Sequence, residues 1–529
     1  MPDSFDEYTA ELLLNCEKNK LTENYGNPEV SISSEGKDIY IVSDLHITQL
    51  RNNGKNAPPS KKKQDLAFTK FIGYLSRKVM PGRGILVING DFIDFLRITA
   101  LPSSEGGLKE WKSILEKIGI SKSLESLRAS ISKREMKYGL STDDFKSVWK
   151  LHVVLKEHSG VFKALIQWLE RGNKLVIIKG NHDLEFYWPA VRNYTRLILA
   201  EQSLNEDTPA ELLKKWVFPN LLFVDDTLVI DKKYHIEHGH KYDRYCHCIG
   251  GPLLKNNKQI NMPFGSFFNV YLLNHIELAY PPFKNVRLKR NILPLLVEKR
   301  FFVGIRKLFQ NIPPLFLVIP IRYYRYLFGR VLMIVLTVFL PLLYAMDKFW
   351  NIIEPLTLRL DAENENPASG QKLLKMPGQS VLENFGLFIV SFILSRASSY
   401  IQLEEPNSLY QHARRKFSEN MNYRLVTFGH THTPEVFSLK DQWFVNTGSW
   451  IPTVELFSSE KKKDNACTFM YLCSTGREGG EEGFLQQWDD KKAGTVVITA
   501  LKKVPSEGLN VGRQEKPNPR KGTQLKLKG

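Results

Sequence analysis

Five short runs of apolar and β-branched residues are each followed at once by a cluster of Asp, Asn or His. Runs of this length, bounded by turn residues, predict buried strands. Ligands of open α/β sheets collect beyond the carboxyl ends of the strands, so five such clusters can build one site. The pattern therefore predicts an α/β fold with one polar site. The runs are 38–42 (DIYIV) before SDLH, 84–88 (GILVI) before NGDFID, 174–178 (KLVII) before KGNHD, 234–236 (YHI) before EHGHKYD, and 423–428 (YRLVTF) before GHTH.

The rest of the chain adds strands, helices and loops to this frame. Short strands are predicted at 442–445, 469–473 and 495–501, which gives enough strands for two sheets. Segment 107–170 is predicted to be mostly helical. By composition, 51–64 (RNNGKNAPPSKKKQ) and 475–483 (TGREGGEEG) are predicted to be loops.

The positive charge of the chain is concentrated in two segments. The 529 residues include 73 Lys and Arg against 56 Asp and Glu, a net charge of +17. Segment 281–350 holds 12 basic and 2 acidic residues, and 501–529 holds 8 and 2, so the remaining residues carry only +1. A basic surplus predicts an anionic partner such as phospholipid, nucleic acid or a phosphorylated substrate.

The cysteines and the first residues bear on localisation. Five scattered cysteines are too few for a disulfide scaffold, which favours a reducing compartment. The first twenty residues are acidic and have only a three-leucine apolar run, unlike a secretory signal peptide. We therefore predict a cytoplasmic protein, with peripheral attachment to a membrane as an alternative.

The clusters carry a donor set suited to a transition metal. Five of the twelve histidines lie in them, or six with His240. Imidazole nitrogens with carboxylate and amide oxygens, and no sulfur, suit Mn, Fe, Zn or Ni better than Ca. For a single cluster, a turn Asp beside a core His is the favoured explanation, but that explanation would have to hold five times. The donors are Asp44, His46, Asp91, Asp94, Asn181, His182, His238, His430 and His432.

The order of these motifs resembles the calcineurin-like metallophosphoesterase superfamily. D-x-H, G-D-x-x-D, G-N-H-D, H-G-H and G-H-T-H follow one another in family order over 37–245 and 421–455. The resemblance implies a four-layer αββα sandwich with a large, mainly helical insertion. It divides the chain into an N-terminal extension (1–36), a core in two parts (37–248 and 421–503), an insertion (249–420) and a basic, disordered tail (504–529).

The resemblance also assigns roles to the residues of the motifs. Asp44, His46 and His432 would hold a first divalent ion, and Asn181, His238 and His430 a second, with Asp91 bridging both. Mn is favoured for both ions. His182, oriented by Asp94, would donate a proton to the leaving oxygen or stabilise the transition state.

Other polar residues near the motifs have weaker assignments. Lys241 and Arg244 are candidates for binding a substrate phosphate, and solvated loop charges are the alternative. Asp183 and His240 are more typical of supporting residues than of ligands. Residues 246–248 (CHC) could bind zinc or form a redox pair of cysteines, but a purely structural loop is the favoured interpretation. Residues 446–450 (NTGSW) resemble a segment that supports the site in many family members.

The insertion has two interpretations. Segment 331–346 has sixteen uncharged residues, fewer than the about 20 that a membrane span needs. Since His430 and His432 must meet Asp44 and Asp91, the chain between them can cross a bilayer only an even number of times. We predict either a helical cap or an element whose apolar, basic face 281–350 meets an anionic membrane surface. UDP-2,3-diacylglucosamine hydrolases of the superfamily carry a helical lid in the corresponding position, although they typically have Arg where this chain has His182.

The predicted function is hydrolysis of a phosphoester or pyrophosphate bond by a hydroxide that bridges two metal ions. Lipid-linked and nucleotide substrates are favoured by the apolar, basic insertion. The alternatives are a protein or nucleic-acid phosphatase or phosphodiesterase and, from a different class, a non-catalytic metal-binding scaffold. Binding of nucleic acid is a weaker interpretation of the charge, because that role does not need so apolar a segment.

Overall fold

The computed structural model describes residues 11, 13, 29–50, 59–255, 258–274, 320–324, 409–451, 466–473 and 482–501. The chain separates into two compact units, Met1–Asn285 with Pro406–Gly529, and Val286–Glu405. Of the second unit only 320–324 are described, with a 3₁₀ turn at Ile321–Tyr323. The tail 504–529 lies outside the described residues, and so does the basic face 281–350 apart from 320–324. The helical character predicted for 249–420 likewise falls mostly outside them.

In the described part of the first unit, the strands form two mixed β-sheets. The larger sheet has the order β13-β12-β11-β2-β3-β4-β5, and the smaller has the order β1-β6-β7-β8-β10-β9. The strands are β1 (Glu29–Ile32), β2 (Asp38–Val42), β3 (Gly84–Asn89), β4 (Lys174–Ile178), β5 (Leu221–Val224), β6 (Thr227–Ile230), β7 (Tyr234–Glu237), β8 (Leu425–Phe428), β9 (Pro434–Leu439), β10 (Gln442–Thr447), β11 (Thr468–Cys473), β12 (Glu482–Asp489) and β13 (Gly494–Leu501).

Most of the described helices lie between β3 and β5. Several start at side-chain caps; Ser104, for example, accepts a hydrogen bond from the backbone of Gly107. The α-helices are α1 (Pro59–Lys78), α2 (Glu105–Glu116), α3 (Leu124–Ala129), α4 (Lys133–Tyr138), α5 (Asp144–Glu157), α6 (Ser159–Glu170), α7 (Pro189–Glu201), α8 (Pro209–Leu212), α9 (Phe218–Asn220), α10 (Phe264–Phe268) and α11 (Tyr410–Glu419).

The two sheets share an apolar core, and helices cover their other faces. Along β2, Ile39 and Ile41 pack between the sheets, while Tyr40 and Val42 pack against the helical side that includes α1 and α6. This alternation follows from the two-residue period of a strand. On the far side of the smaller sheet, Phe417 of α11 packs in a cluster with residues of β8 and β10.

Strand direction brings the polar clusters together. β2, β3, β4 and β5 are parallel neighbours, and so are β7, β8 and β10 in the other sheet. The carboxyl ends of each set therefore meet at one edge of their sheet. The predicted α/β class with two sheets is confirmed, and each predicted run forms a strand within one or two residues of the expected bounds.

Three sequence-based expectations differ from the structure. Residues 59–64, predicted as loop, begin α1, because proline is tolerated in the first turn of a helix. The segment 1–36, predicted as an extension, contains β1, which pairs with β6 at the edge of the smaller sheet. β5, β6, β9 and β12 were not predicted.

Within the described ranges, no helix is long and apolar enough to cross a membrane.

Candidate metal centre

The predicted ligands lie on tight turns that leave the strand ends. Five of them have a left-handed backbone, with φ of 54° at Asp44, 46° at His46, 54° at Asp91, 67° at His430 and 59° at His432. Such a conformation costs on the order of 1–3 kcal/mol for a non-glycine residue and is typical of functional sites. Neighbouring turns hold one another in place, because Asp44 N donates to Gly90 O at 3.2 Å and His46 N donates to Asp91 O at 2.8 Å.

Glycines beside the ligands allow close approach of the backbone. A Cβ added at Gly180 would lie 2.5 Å from the backbone nitrogen of Asp91, and one at Gly429 would lie 2.7 Å from Asp44 Oδ2. Neither glycine has a positive φ, so these two positions need glycine for the close approach and not for a left-handed backbone. Gly90 and Gly239 do have the left-handed backbone that favours glycine, with φ angles of 78° and 95°.

Asp44, His46 and His432 form the first ligand group. His432 Nε2 lies 3.1 Å from Asp44 Oδ1 and 3.1 Å from His46 Nε2. His46 Nε2 lies 3.7 Å from Asp44 Oδ1. One carboxylate and two imidazole nitrogens thus converge as a set that could hold one metal ion.

Asp91 lies between this first group and His238. Its Oδ2 is 3.4 Å from His46 Nε2 and 3.3 Å from His238 Nε2. Asp91, His238 and Asp44 together form a further buried group that could hold a metal ion. Asn181, also buried, follows β4, the strand beside β3 in the larger sheet.

His430 occupies a different group from Asp91 and His238. Its Nε2 lies 3.0 Å from Asp243 Oδ2, and together with Cys246 these residues form another group that could hold a metal ion, as do His46, Asp91 and His182. The rings of His430 and His238 are nonetheless close, with centroids 5.4 Å apart. Sequence analysis missed Asp243, whose only signal was its position five residues after the histidine of H-G-H. It considered Cys246 together with 247–248 as a zinc or redox segment, and not as a neighbour of His430.

His182 and Asp94 form a pair at the edge of the cluster. His182 Nδ1 lies 2.9 Å from Asp94 Oδ1, and the backbone nitrogen of His182 donates to Asp91 Oδ1 at 2.9 Å. Arg97, which sequence analysis did not single out, lies with Nε 3.0 Å from Asp94 Oδ2. Thr48 donates its hydroxyl to the carbonyl oxygen of Asp94 at 2.9 Å. The ring of His182 is therefore oriented by a carboxylate that is itself held on several sides.

Histidines and carboxylates of the cluster shift one another's pKa. Burial alone would raise the pKa of Asp91, but the charges of His238, His182 and His46 hold it well below its ordinary value. Burial would likewise lower the pKa of His46 and His238, yet the carboxylates, Asp91 foremost, raise these values to about 10 and about 9. Metal ions and protons therefore compete for the same nitrogens.

The weaker candidates differ in their surroundings. Lys241 forms ion pairs with Asp226, at 2.7 Å, and with Glu237, so its charge is already matched by two carboxylates. Arg244 is exposed. Asp183 accepts hydrogen bonds from the backbone of Phe92 at 2.7 Å and of Gly180 at 2.5 Å, and burial together with Asp91 raises its pKa to about 7. Asp183 thus braces two of the turns.

His240 and the segment 246–248 lie beside the second half of the site. The His240 ring stacks loosely against His238, with centroids 5.5 Å apart, and its Nδ1 is buried without a hydrogen bond. Cys248 donates to the carbonyl oxygen of Asn261 at 3.1 Å, and His247 is exposed. Among the described residues, His240, His247 and Cys248 do not join Cys246 in a group that could hold a zinc ion.

The segment 446–450 braces the turns that carry the ligands. Asn446 Nδ2 donates to Gly429 O at 2.7 Å, and Thr447 Oγ1 lies 2.7 Å from Ser43 Oγ. Ser449 Oγ donates to the carbonyl oxygen of Asp44 at 3.1 Å. These bonds join the turn after β2 to the turn after β8.

The residues fit a bound metal. Asn181 Oδ1 and His238 Nε2 are buried without a hydrogen-bond partner, and so is Asp44 Oδ1, although His432 Nε2 is only 3.1 Å away. Buried polar atoms are normally satisfied, and leaving one unmade costs about 1–3 kcal/mol. Three such atoms, all nitrogen or oxygen and all in one cluster, are the ligands that a divalent transition-metal ion needs.

Comparison with known proteins does not extend this description. No protein-family model matches the chain, and no curated protein matches it. The chemistry of the site therefore rests on its own residues.

Proposed function

We propose that this chain is a metal-dependent phosphoesterase of the calcineurin-like metallophosphoesterase superfamily. The observation that carries the proposal is the position of Asp91, with Oδ2 3.4 Å from His46 of one ligand group and 3.3 Å from His238 of the other. Two mixed sheets with a shared core and helices on their outer faces support the αββα sandwich that such an enzyme has.

Seven residues would hold two divalent ions, with Mn favoured. Asp44, His46 and His432 would bind the first ion, and Asn181, His238 and His430 the second, while Asp91, whose carboxylate faces both groups, would bind both. Bound there, the ions would polarise a phosphoryl oxygen and make a water acidic enough to lose its proton near neutral pH.

His182 would serve the leaving group. Asp94 Oδ1 lies 2.9 Å from its Nδ1, so Nε2 is the nitrogen that would face the departing oxygen. Burial lowers the pKa of His182 although Asp94 and Asp91 act to raise it, so a proton on Nε2 would pass readily to that oxygen. Its side chain is 14% exposed, enough to meet a substrate, while Asp94 is buried. The substrate would carry a phosphoester or pyrophosphate, with lipid-linked and nucleotide compounds favoured.

The proposal is tested with the purified full-length chain loaded with Mn²⁺. Wild type should hydrolyse bis(p-nitrophenyl) phosphate or p-nitrophenyl phosphate, and Asp91→Ala should reduce that rate to background. Asp490→Ala, which removes an exposed carboxylate paired with Lys70, should retain the wild-type rate. If wild type and Asp91→Ala are equally inert across Mn, Fe, Zn and Ni, the proposal is wrong.

Metal analysis separates an enzyme from a scaffold. An enzyme of this kind should bind two ions per chain, and Asp91→Ala should bind fewer. A wild type that binds two ions without hydrolysing any phosphoester or pyrophosphate would favour the scaffold. A lipid or nucleotide that co-purifies with Asp91→Ala would identify the substrate class.

A further inference from the structure

His430 contacts two carboxylates through two different atoms. Its backbone nitrogen donates to Asp44 Oδ2 at 3.0 Å, and its ring Nε2 lies 3.0 Å from Asp243 Oδ2. Asp44 belongs to the ligand groups described above. Asp243 comes from the loop after β7, directly after a 3₁₀ turn at His240–Tyr242. A residue outside the predicted ligand set thus holds the ring of one that is inside it.

Asp243 is itself firmly held. Its Oδ1 accepts a hydrogen bond from Tyr245 N at 2.8 Å, and its carbonyl oxygen accepts from Cys246 N at 3.0 Å and His247 N at 2.8 Å. Its side chain is 12% exposed and that of His430 is 7% exposed. An ionised carboxylate can only accept hydrogen bonds, so Nε2 of His430 carries the proton. Nδ1 is then the nitrogen whose lone pair can bind a metal.

In the ring of His238 the two nitrogens have the opposite roles from those in His430. Its Nδ1 lies 2.8 Å from the carbonyl oxygen of Asn89, which can only accept, so Nδ1 keeps its proton and Nε2 is the nitrogen that would bind a metal in place of a proton. That Nε2 is the buried atom without a hydrogen bond, 3.3 Å from Asp91 Oδ2. The two rings therefore have fixed and complementary tautomers, set by an oxygen of Asn89 in one case and of Asp243 in the other.

We propose that Asp243 is a positioning residue of the second metal site, which fixes the tautomer of His430 so that Nδ1 is left to bind the ion. The inference rests on the proposed function, since it assumes that His430 binds the second ion with Asp91, Asn181 and His238. Carboxylate partners of metal-binding histidines typically contribute ten- to a hundredfold in affinity.

A different role for the same side chains is a separate cation site. Asp243, Cys246 and His430 offer one ligand atom each within 4.8 Å of one another. Such a site would have to replace the 3.0 Å contact between Asp243 and His430, and Asp243 Oδ1 is already engaged by Tyr245 N. The positioning role keeps both contacts. The two roles differ in what they require of Cys246, because its side chain hydrogen-bonds Asp243 in the positioning role, whereas only the cation site needs its sulfur as a ligand.

In the test, the metal-free, full-length chain is titrated with Co²⁺, and binding is monitored by visible absorption and by calorimetry. Wild type should bind two Co²⁺ per chain. In Asp243→Asn the amide can turn and donate to Nε2, so the tautomer is no longer fixed. The second Co²⁺ should therefore bind about 10–100-fold more weakly, while the first binds as in wild type. Asp225→Asn is the matched control, since Asp225 is also mostly buried and pairs with Arg192 and Lys179.

Four outcomes decide the inference. Equal affinity of both ions in wild type and Asp243→Asn overturns it, while the proposed function stands if both proteins hydrolyse phosphoesters. A loss in Cys246→Ala as large as in Asp243→Asn also overturns it, in favour of the cation site. If Asp243→Asn lowers the melting temperature of the metal-free protein, Asp243→Glu decides, because a stable Glu variant should regain the second ion. A wild type that binds fewer than two Co²⁺ instead contradicts the proposed function.

Discussion

At the scale of single residues, the site depends on groups that are missing as much as on groups that are present. Gly180 has no side chain, and the carboxylate and backbone of Asp91 fill the space where one would be. A methyl group there must displace the residue that is proposed to bind both ions. Positions of this kind are sensitive to changes of a fraction of an ångström.

Gly180→Ala is therefore expected to lose metal binding with a moderate loss of stability. Overpacking a rigid site costs about 1–3 kcal/mol, and displacement of Asp91 should weaken both ions. The measurements are the urea midpoint of the metal-free protein and the Mn²⁺ content after loading. Gly251→Ala is the control, since a Cβ at Gly251 meets nothing within 4 Å. Full Mn²⁺ content in Gly180→Ala would contradict the close packing.

His182→Ala is expected to separate catalysis from metal binding. Without a proton donor, kcat should fall about 10²–10⁴-fold for an alkyl phosphate. The fall should be much smaller for p-nitrophenyl phosphate, because nitrophenolate leaves readily without a proton. Two metal ions should still bind, since His182 is outside the proposed ligand set. Equal losses for the two leaving groups would show that His182 acts in some other way.

At the scale of elements, α4 and α5 are joined by a buried ion pair away from the site. Glu135 Oε1 lies 2.6 Å from Lys146 Nζ, and Glu135 also closes the capping box of α4 with Ser132. Burial acts to raise the pKa of Glu135, but the hydrogen bonds from Lys146 and Ser141 outweigh it and lower the value to about 2, from 4.5 in an unfolded chain.

The pH dependence of stability follows from this lowered pKa. The folded state favours ionised Glu135, so its stabilisation is complete above about pH 4.5 and is lost as the pH falls toward 2. At neutral pH, Glu135→Gln should lower the free energy of unfolding by about 3 kcal/mol, and the difference from wild type should shrink below pH 4.5.

Urea unfolding of both proteins at pH 7, 4.5 and 3 measures that difference. Glu116→Gln is the control, since Glu116 pairs with Lys112 on the surface and should contribute less than about 1 kcal/mol at any pH. A difference for Glu135→Gln that does not change with pH would argue against the ion pair.

Elements next to the polar clusters were the ones that the sequence predicted well. Their apolar runs are bounded by Gly, Asp and Asn, which mark where a strand ends. Two of the four strands that were missed, β9 and β12, lack this contrast, whereas β5 and β6 are short apolar runs that end just before Asp225 and Asp231. β9 begins with Pro434 and lies at the edge of its sheet, where proline is tolerated, and β12 (EGFLQQWD) is half polar. Pairing with neighbours, rather than local pattern, makes these segments strands.

The side-chain contacts of the site also could not be predicted from local sequence pattern alone. Motif spacing predicted which residues converge, because strand ends meet regardless of rotamer. The contact between His430 and Asp243 depends on which way an imidazole ring faces, and no spacing encodes that. The left-handed backbone of Asp44 and Asp91 is likewise a property of the assembled turns, since aspartate also adopts ordinary conformations.

At the scale of the whole molecule, the candidate metal centre joins two sheets and two distant parts of the chain. Asp44, Asp91 and Asn181 follow strands of the larger sheet, while His238, His430 and His432 follow strands of the smaller one. The unfolded chain has no such convergence, so ions should bind the folded protein alone.

Metal ions should therefore stabilise the folded protein. At a free Mn²⁺ concentration of 100 times Kd, each site adds about 2.7 kcal/mol. The thermal midpoint should rise with Mn²⁺ and fall again when EDTA is added. Asp91→Ala should show little change, and Asp490→Ala should respond as wild type does. A midpoint that ignores Mn²⁺ in wild type would mean that the cluster holds no ion.

The pairing of β7 with β8 has a consequence for how the protein matures. These strands are parallel neighbours, yet the whole of Val286–Glu405 lies between them in the sequence. During synthesis the ribosome completes Asp44, Asp91, Asn181 and His238 long before His430 and His432 emerge. Bringing β8 back to β7 closes a very long loop, a slow step in folding. Metal loading of the proposed site is therefore expected late in the life of each new chain, since a nascent chain that stalls within Val286–Glu405 lacks two of the seven proposed ligands, His430 and His432.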